Sequence, residues 1–354
     1  MLERRKGQLS VGLAAVTSLL LTFCPAGSAR GAGLDGFKVT STVKLGGEGS
    51  WDYLQYDTAR QRLYIARVGG VLVLAGDSLK PVGSIPANAG TRVHGIALVE
   101  QLGLGFTGDG ADRASTVFDL TSLKVLRRVR LPHAPDAVAF DPFSRAAVAV
   151  GEDDPSLMAF DPRTGRMIAE VRLPGSPEAA VPDGKGHLFV TLSDTGEIAQ
   201  VNTQTWHLEA HWPIGGGCNE PTPISFDAAG RRLFVGCRSR VMAVIDAEAH
   251  RLIATVPLCD GVDTLIYDAQ SRSALASCNE GVLDIVDASS REKYPLLQAV
   301  ATAPGARTMG YDSHRRHAYL PVADKGPLLP RVEDIPPRPA IVPETLRVLT
   351  IGRE

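Results

Sequence analysis

No excess of one charge sign marks this chain. Its 37 basic and 39 acidic residues leave a formal charge of −2 and a pI near 6.5. That removes a polyanion as an expected partner, because nucleic-acid binders carry basic patches or stripes. Catalytic signatures are missing as well. The sequence has no G-x-S-x-G elbow, no P-loop, no dinucleotide fingerprint in a strand–helix setting and no C-x-x-C-H haem motif. No stretch reads as a helical domain. The only long apolar run, Val11 to Phe23, is short for a bilayer span.

That run belongs to a segment that stands apart. Arg4, Arg5 and Lys6 make a basic start, and Pro25-Ala26-Gly27-Ser28-Ala29 follows the apolar stretch. This is the layout of a signal peptide over residues 1–29, with cleavage after Ser28 or Ala29. Arg4-Arg5 alone does not make a twin-arginine signal. Phe23 before Cys24 argues against lipidation, which wants a small residue there. The expected mature chain has 34 basic (37 − 3) and 38 acidic (39 − 1) residues, a net of −4, with no membrane span. A secreted or periplasmic monomer is expected.

What the chain does contain is a repeat. Six-residue segments begin at Asp52, His94, Asp136, Glu178, Thr222, Asp263 and Arg307, spaced by 42, 42, 42, 44, 41 and 44 residues. Each opens on a polar residue, and six of the seven close on Asp, as in Asp136-Ala137-Val138-Ala139-Phe140-Asp141. A period of roughly 40–45 residues predicts a propeller or solenoid. Each full repeat offers four strands; in the fifth they are Thr222–Phe226, Arg232–Gly236, Val241–Ile245 and Leu252–Val256. The third strand ends on a turn-nucleating Asp or Asn: Asp77, Asp119, Asp161, Asn202, Asp246 and Asp287. These, with the Asp residues closing the opening segments, are expected to be structural.

The last repeat lacks one strand, and Val39–Leu45 supplies it beside Leu346–Ile351. Ring closure of that kind leaves no long exposed edge. The prediction is therefore an all-β fold, a seven-bladed β-propeller of four-stranded blades over residues 37–354. Lys325 to Glu344 carries six prolines and is expected as a stiff extended loop in blade 7, either a surface insertion or a lid over the channel mouth.

The second strands Arg62-Leu63-Tyr64-Ile65-Ala66, His187-Leu188-Phe189-Val190-Thr191 and Arg232-Leu233-Phe234-Val235-Gly236, with third strands such as Val244-Ile245-Asp246, resemble those of YVTN-repeat, YncE-like seven-bladed propellers. The resemblance covers nearly all of the expected mature chain and implies an exported propeller. It does not choose a reaction, because related propellers are dehydrogenase subunits, lactonases and lyases.

In a propeller the first strand of each blade lines the channel and its first residue sits at one rim. The rim residues would be Asp52, His94, Asp136, Glu178, Thr222, Asp263 and Arg307, with Glu220 close by. Acids packed round one axis need a cation, water or an arginine to offset them. Arg307 would pair with flanking Asp52 or Asp263. A solvated ring, a ligand-binding ring and a catalytic ring all fit this list. Catalytic candidates are His94, Asp136, Glu178 and Arg307. Metal candidates are His94, His133, Asp136 and Glu178, with Ca²⁺ or Mg²⁺ expected over a transition metal. Trp51 stacks at the mouth or is buried between blades. Loops on this face carry Asp109, Asp112, Glu152, Asp153, Asp154, Asp194, Glu280 and Asp324, so the whole face is expected to be acidic.

Four cysteines remain after residue 29. Cys218 and Cys237 are 19 apart, as are Cys259 and Cys278, and the two pairs are displaced by one blade. Each pair would join a loop entering a first strand to the end of the adjacent second strand. Disulfides Cys218–Cys237 and Cys259–Cys278 are predicted, as export to an oxidising compartment allows. A four-Cys zinc site lacks the C-x-x-C spacing. The function expected is a binding or scaffold protein that recognises a small molecule or protein at an acidic channel rim. The alternative is a channel-centred, metal-assisted hydrolase or lyase.

Overall fold

The computed structural model describes residues 36–329 and 339–353. The signal segment expected over residues 1–29 lies outside the described residues. Seven four-stranded antiparallel sheets are present, and six follow chain order within the blade. Their inner strands are Trp51–Asp57, Val93–Val99, Pro135–Asp141, Pro177–Pro182, Pro221–Asp227 and Val262–Asp268. The seventh blade starts on the short strand Gly310–Asp312, continues through His317–Val322 and Arg347–Gly352, and ends on Lys38–Lys44 from the other end of the chain. Among the described residues, the only helical element is one 3-10 turn, Glu100–Leu102. No helix there is long and apolar enough to cross a membrane.

The Asp residues that close the inner strands are structural, as the sequence predicts. Asp141 accepts the backbone N–H groups of Phe143 and Ser144, Asp227 those of Ala229 and Gly230, and Asp312 those of His314 and Arg315. Asp119, Asp161, Asn202 and Asp246 cap the outer turns in the same way. Four residues after each of Asp57, Asp141, Asp227, Asp268 and Asp312 comes a non-glycine residue at φ between 51° and 60° (Gln61, Arg145, Arg231, Arg272, Arg316). The turn ends in the left-handed region there. Blade 2 has Val99 where the others have Asp, and its connection is the 3-10 turn, ended by Gly103 at φ 65°.

Second and third strands are buried on both faces and form the cores between blades. Aromatics are scarce, and they sit at these seams. Tyr56 stacks on Tyr319 with ring centroids 5.3 Å apart, Phe234 on Tyr267 at 5.1 Å, and Phe106 meets Phe160 edge-on at 5.8 Å. Each such pair contributes about 0.5–1.5 kcal/mol beyond its buried area. Arg232, 4% exposed, ties blade 5 to blade 6. Its guanidinium pairs with Asp227 at 2.7 Å and donates to Ala288 O, Ser290 O and the Tyr294 hydroxyl.

The closing strand pairs from Lys38↔Gly352 to Lys44↔Arg347, as expected. Its side chains are mostly exposed, so the ladder holds it. Phe37 anchors it. That ring is 4% exposed, within the core shared by blades 6 and 7. The Gln298 amide clamps the Phe37 backbone from both sides, accepting its N–H at 2.9 Å and donating to its C=O at 2.7 Å.

The proline-rich insertion departs from the expectation of a loop without regular structure. Lys325–Leu328 and Pro339–Ile341 pair antiparallel as a two-stranded sheet, and the rest of the expected loop or lid, 330–338, lies outside the described residues. Pro327 falls where the register is interrupted between Lys325 and Leu328, so its missing N–H costs the ladder nothing. Both cysteine pairs are bridged as predicted, with Cα–Cα distances of 5.3 Å for Cys218–Cys237 and 5.8 Å for Cys259–Cys278.

Candidate functional site

Asp52, His94, Asp136, Glu178, Thr222 and Asp263 are each the second residue of an inner strand. In every one of those strands the register with the next strand slips at this point. The slips lie between Trp51 and Leu54, Val93 and Ile96, Pro135 and Val138, Pro177 and Ala180, Pro221 and Ile224, and Val262 and Thr264. A bulge frees a residue from the ladder and re-aims its side chain. Six copies of one bulge therefore set the rim positions. Arg307 precedes the short inner strand of blade 7, and the Ser277 hydroxyl holds its C=O at 2.5 Å.

Two charge clusters result. In the first, the His94 Nδ1 contacts Asp52 Oδ2 at 2.9 Å and Asp136 Oδ1 at 3.2 Å, while its Nε2 faces Glu152 at 3.8 Å. Arg92 donates to the same Asp52 oxygen at 3.1 Å. Burial alone would lower the His94 pKa. The hydrogen bonds and charges of Asp136 and Asp52 outweigh it and lift the imidazole to about 9, so His94 is a cation at neutral pH. Burial pushes Asp52 up, and its bond to His94 with the charges of Arg92, His94 and Arg307 brings it below the ordinary value. In the second cluster Arg307 pairs with Asp263 at 3.0 Å. Burial still leaves the Asp263 carboxyl above its usual range, against the pull of Arg307.

Glu178 has no cation within ion-pair distance among the described residues. Burial, then the charges of Asp136 and Asp263, raise its pKa despite help from Ser193 and Arg238. Five carboxylates (Asp52, Asp136, Glu152, Glu178, Asp263) thus face four cations (Arg92, His94, Arg238, Arg307), leaving one negative charge in excess.

Other sequence candidates fall elsewhere. The Thr222 side chain is buried and turns back to donate to Glu220 O at 3.3 Å. Glu220 is exposed and lies 3.9 Å from Arg238. His133 does not join His94. It faces Glu170 at 3.3 Å and Asp154 at 3.7 Å, in a separate cluster that Arg172 also enters. Trp51 is half-buried against the core shared by blades 1 and 7. The uniformly acidic face needs correction. Asp109 is fully buried, where the hydroxyls of Thr107 and Thr116 donate to it at 2.6 and 2.5 Å. Asp153 pairs with Arg113, Asp154 with Arg172 and Asp324 with Arg347. Arg113 sits in a loop, Arg172 ends the outer strand of blade 3 and Arg347 opens the third strand of blade 7, so their reach is not visible as sequence spacing.

Sequence reasoning missed Tyr53. Burial, then the charges of Asp136, Asp263, Asp52 and Glu178, push its hydroxyl well above the usual tyrosine pKa. All four acids bear on this one phenol. A signal was present: the residue after the rim position is Gly95, Ala137, Ala179, Pro223, Thr264 or Thr308 in the other six segments. Small residues are required where inner strands crowd; a Cβ on Gly95 would come within 2.7 Å of Val138 N. Only blade 1 puts a large ring there, and Tyr53 borders the channel.

Arg92 was missed too, being two residues ahead of His94 in a loop. The donor atoms of Asp52, His94 and Asp136 lie within 4.8 Å of one another, a set of one nitrogen and two oxygens. It is a fit for a divalent ion once the imidazolium has lost its proton. As built, Asp52 is engaged by Arg92 and His94 together.

No family model matches the chain, and no curated protein matches it. Among solved structures it is similar to a chain from the "Crystal Structure of Mitotic Checkpoint Complex". The TM-score is 0.69 at 11% identity, covering 89% of this chain and 95% of that one. The likeness is one of fold alone. It supports the seven-bladed propeller, a fold that commonly serves as a binding scaffold.

Proposed function

We propose that this chain is an exported propeller of the YVTN type that acts as a binding module and captures a cationic group at the acidic mouth of its channel. The observation that carries this reading is Glu178. It is a partly buried carboxylate with no cation within ion-pair distance among the described residues, and burial, with the charges of Asp136 and Asp263, holds its pKa above the ordinary value. A calcium or magnesium ion or an ammonium group would offset that charge. The two bridged cysteine pairs fit an oxidising compartment.

The test is thermal melting with calcium, magnesium and a linear diamine, on wild type and on Glu178→Gln. At least one probe is expected to raise the wild-type melting temperature and to lose that effect in the variant. The variant alone should melt higher than the free wild type at pH 7, because a carboxyl whose pKa is raised on folding is a destabilising charge when ionised. No shift with any probe would overturn the reading.

A second reading, a metal-assisted hydrolase or lyase, rests on the clustered donor atoms of Asp52, His94 and Asp136. It requires a stoichiometric divalent ion in purified protein that disappears in an Asp136→Ala/Glu178→Ala double variant.

A further inference from the structure

A cavity of about 610 Å³, within the range of ligand pockets, is lined by inner-strand residues from Tyr53 to Tyr311. Tyr53 and Asp263 stand at its rim end. Asp268, Gln270 and Ser313, in the turns of the opposite face, stand at its other end. Its lining comes largely from blades 1, 5, 6 and 7, so it lies to one side of the axis.

The two carboxylates that line the chamber are both engaged by protein donors. Asp263 is paired with Arg307, and Asp268 accepts the Ser271 hydroxyl at 2.5 Å, the Tyr311 hydroxyl at 3.1 Å and the Gln270 N–H at 3.1 Å. The chamber also offers neutral hydrogen-bonding groups. The Gln55 side chain lines it, is exposed within the inner strand of blade 1 and makes no hydrogen bond to another described residue. Ser225 accepts the Tyr267 N–H at 2.9 Å and keeps its own proton to donate. The Tyr53 hydroxyl is likewise without a hydrogen-bond partner among the described residues, and Ile224 and Met309 add apolar wall. At the inner-strand positions that correspond to Gln55, blades 2 and 3 carry Ala97 and Ala139, so this carboxamide departs from the repeat.

We propose that this chamber is a second binding site, separate from the acidic mouth, for an uncharged, hydroxyl-rich molecule of mono- or disaccharide size entering from the opposite face. Gln55 and Ser225 hydrogen-bond its hydroxyls, Ile224 and Met309 cover its C–H face, and Tyr53 closes the inner end. Sugars present this alternation of hydroxyl edge and apolar face.

The experiment is saturation-transfer NMR followed by calorimetry on the full protein with glucose, galactose, N-acetylglucosamine, maltose and trehalose. At least one is expected to bind wild type. Gln55→Leu should weaken it about five- to tenfold, the value of one or two neutral hydrogen bonds. Ala179→Phe should abolish it by filling the chamber. Glu178→Gln should bind it within a factor of about two of wild type, which separates this site from the mouth. Should Gln55→Leu misfold by circular dichroism, Gln55→Met replaces it. Absence of binding by all five sugars, undiminished binding in both chamber variants, or equal loss in Glu178→Gln would each overturn the proposal.

Discussion

Raising the pH should loosen the channel mouth through a single side chain. His94 is 8% exposed and carries its proton against Asp52 and Asp136 until about pH 9, whereas an unfolded histidine releases it near 6.5. At about 1.4 kcal/mol per pH unit, holding that proton stabilises the fold by about 3 kcal/mol. The sign follows from the direction. The contribution is complete below pH 6.5, and it disappears as the pH climbs through about 9. The groups facing His94 are Asp52, Asp136 and Glu152 on the acidic side and Arg92 on the basic side. For roughly 300 folded residues the unfolding entropy near 60 °C is about 0.6 kcal/mol per degree, so the loss is a fall of about 5 °C in Tm.

The assay is Tm against pH from 6 to 10 for wild type and His94→Gln, read as the difference between the two curves, which removes the other titrating groups. Histidine-selective NMR supplies the pKa directly among the eight histidines. Parallel melting curves, or a His94 resonance titrating near 6.5, would refute the reasoning.

Three further outcomes follow from the packing. Arg232→Met should cost about 3–5 kcal/mol, because it strands the buried Asp227 carboxylate and the carbonyls of Ala288 and Ser290; chemical denaturation measures it. A Cys218→Ser/Cys237→Ser double variant should lose about 3 kcal/mol for its 19-residue separation, and wild type under reductant should lose the same and more with both bridges open. Phe37→Ala should cost about 3–5 kcal/mol and shift the protein toward oligomers in light scattering, since the closing strand loses its anchor. An unchanged, monomeric Phe37→Ala protein would show that the ladder alone closes the ring.

The fold was legible because its information is local and repeated. One turn motif, Asp followed four residues later by a left-handed residue, recurs at fixed spacing, and both disulfides follow from the same period. The rim was legible as positions but less so as partnerships. Arg307 and Asp263 neighbour each other in blade order, and that pair could be anticipated. Arg92 reaching Asp52, and Arg113 and Arg172 covering the loop acids, depend on long side chains crossing from loops and outer strands, which periodicity does not encode. His133 follows the same rule in reverse: three residues from Asp136 in sequence, it turns outward to Glu170. Tyr53 was spelled out as the one bulky residue in a column of small ones, but only the crowding around Gly95 explains why the column is small.

The join between Lys38 and Gly352 has a consequence for how the molecule comes into being. The contact spans 314 residues (352 − 38), and no shorter contact can stand in for it. On the ribosome the first strand waits, unpaired, until all seven blades have been made. Blade 7 meanwhile presents Arg347–Gly352 as an open edge to any suitable strand, and a second molecule's Lys38–Lys44 is identical to its own. Whether the ring forms within one chain or is shared between two is then decided by concentration during that interval. Dilute refolding favours the monomer, and crowded refolding favours strand-exchanged dimers.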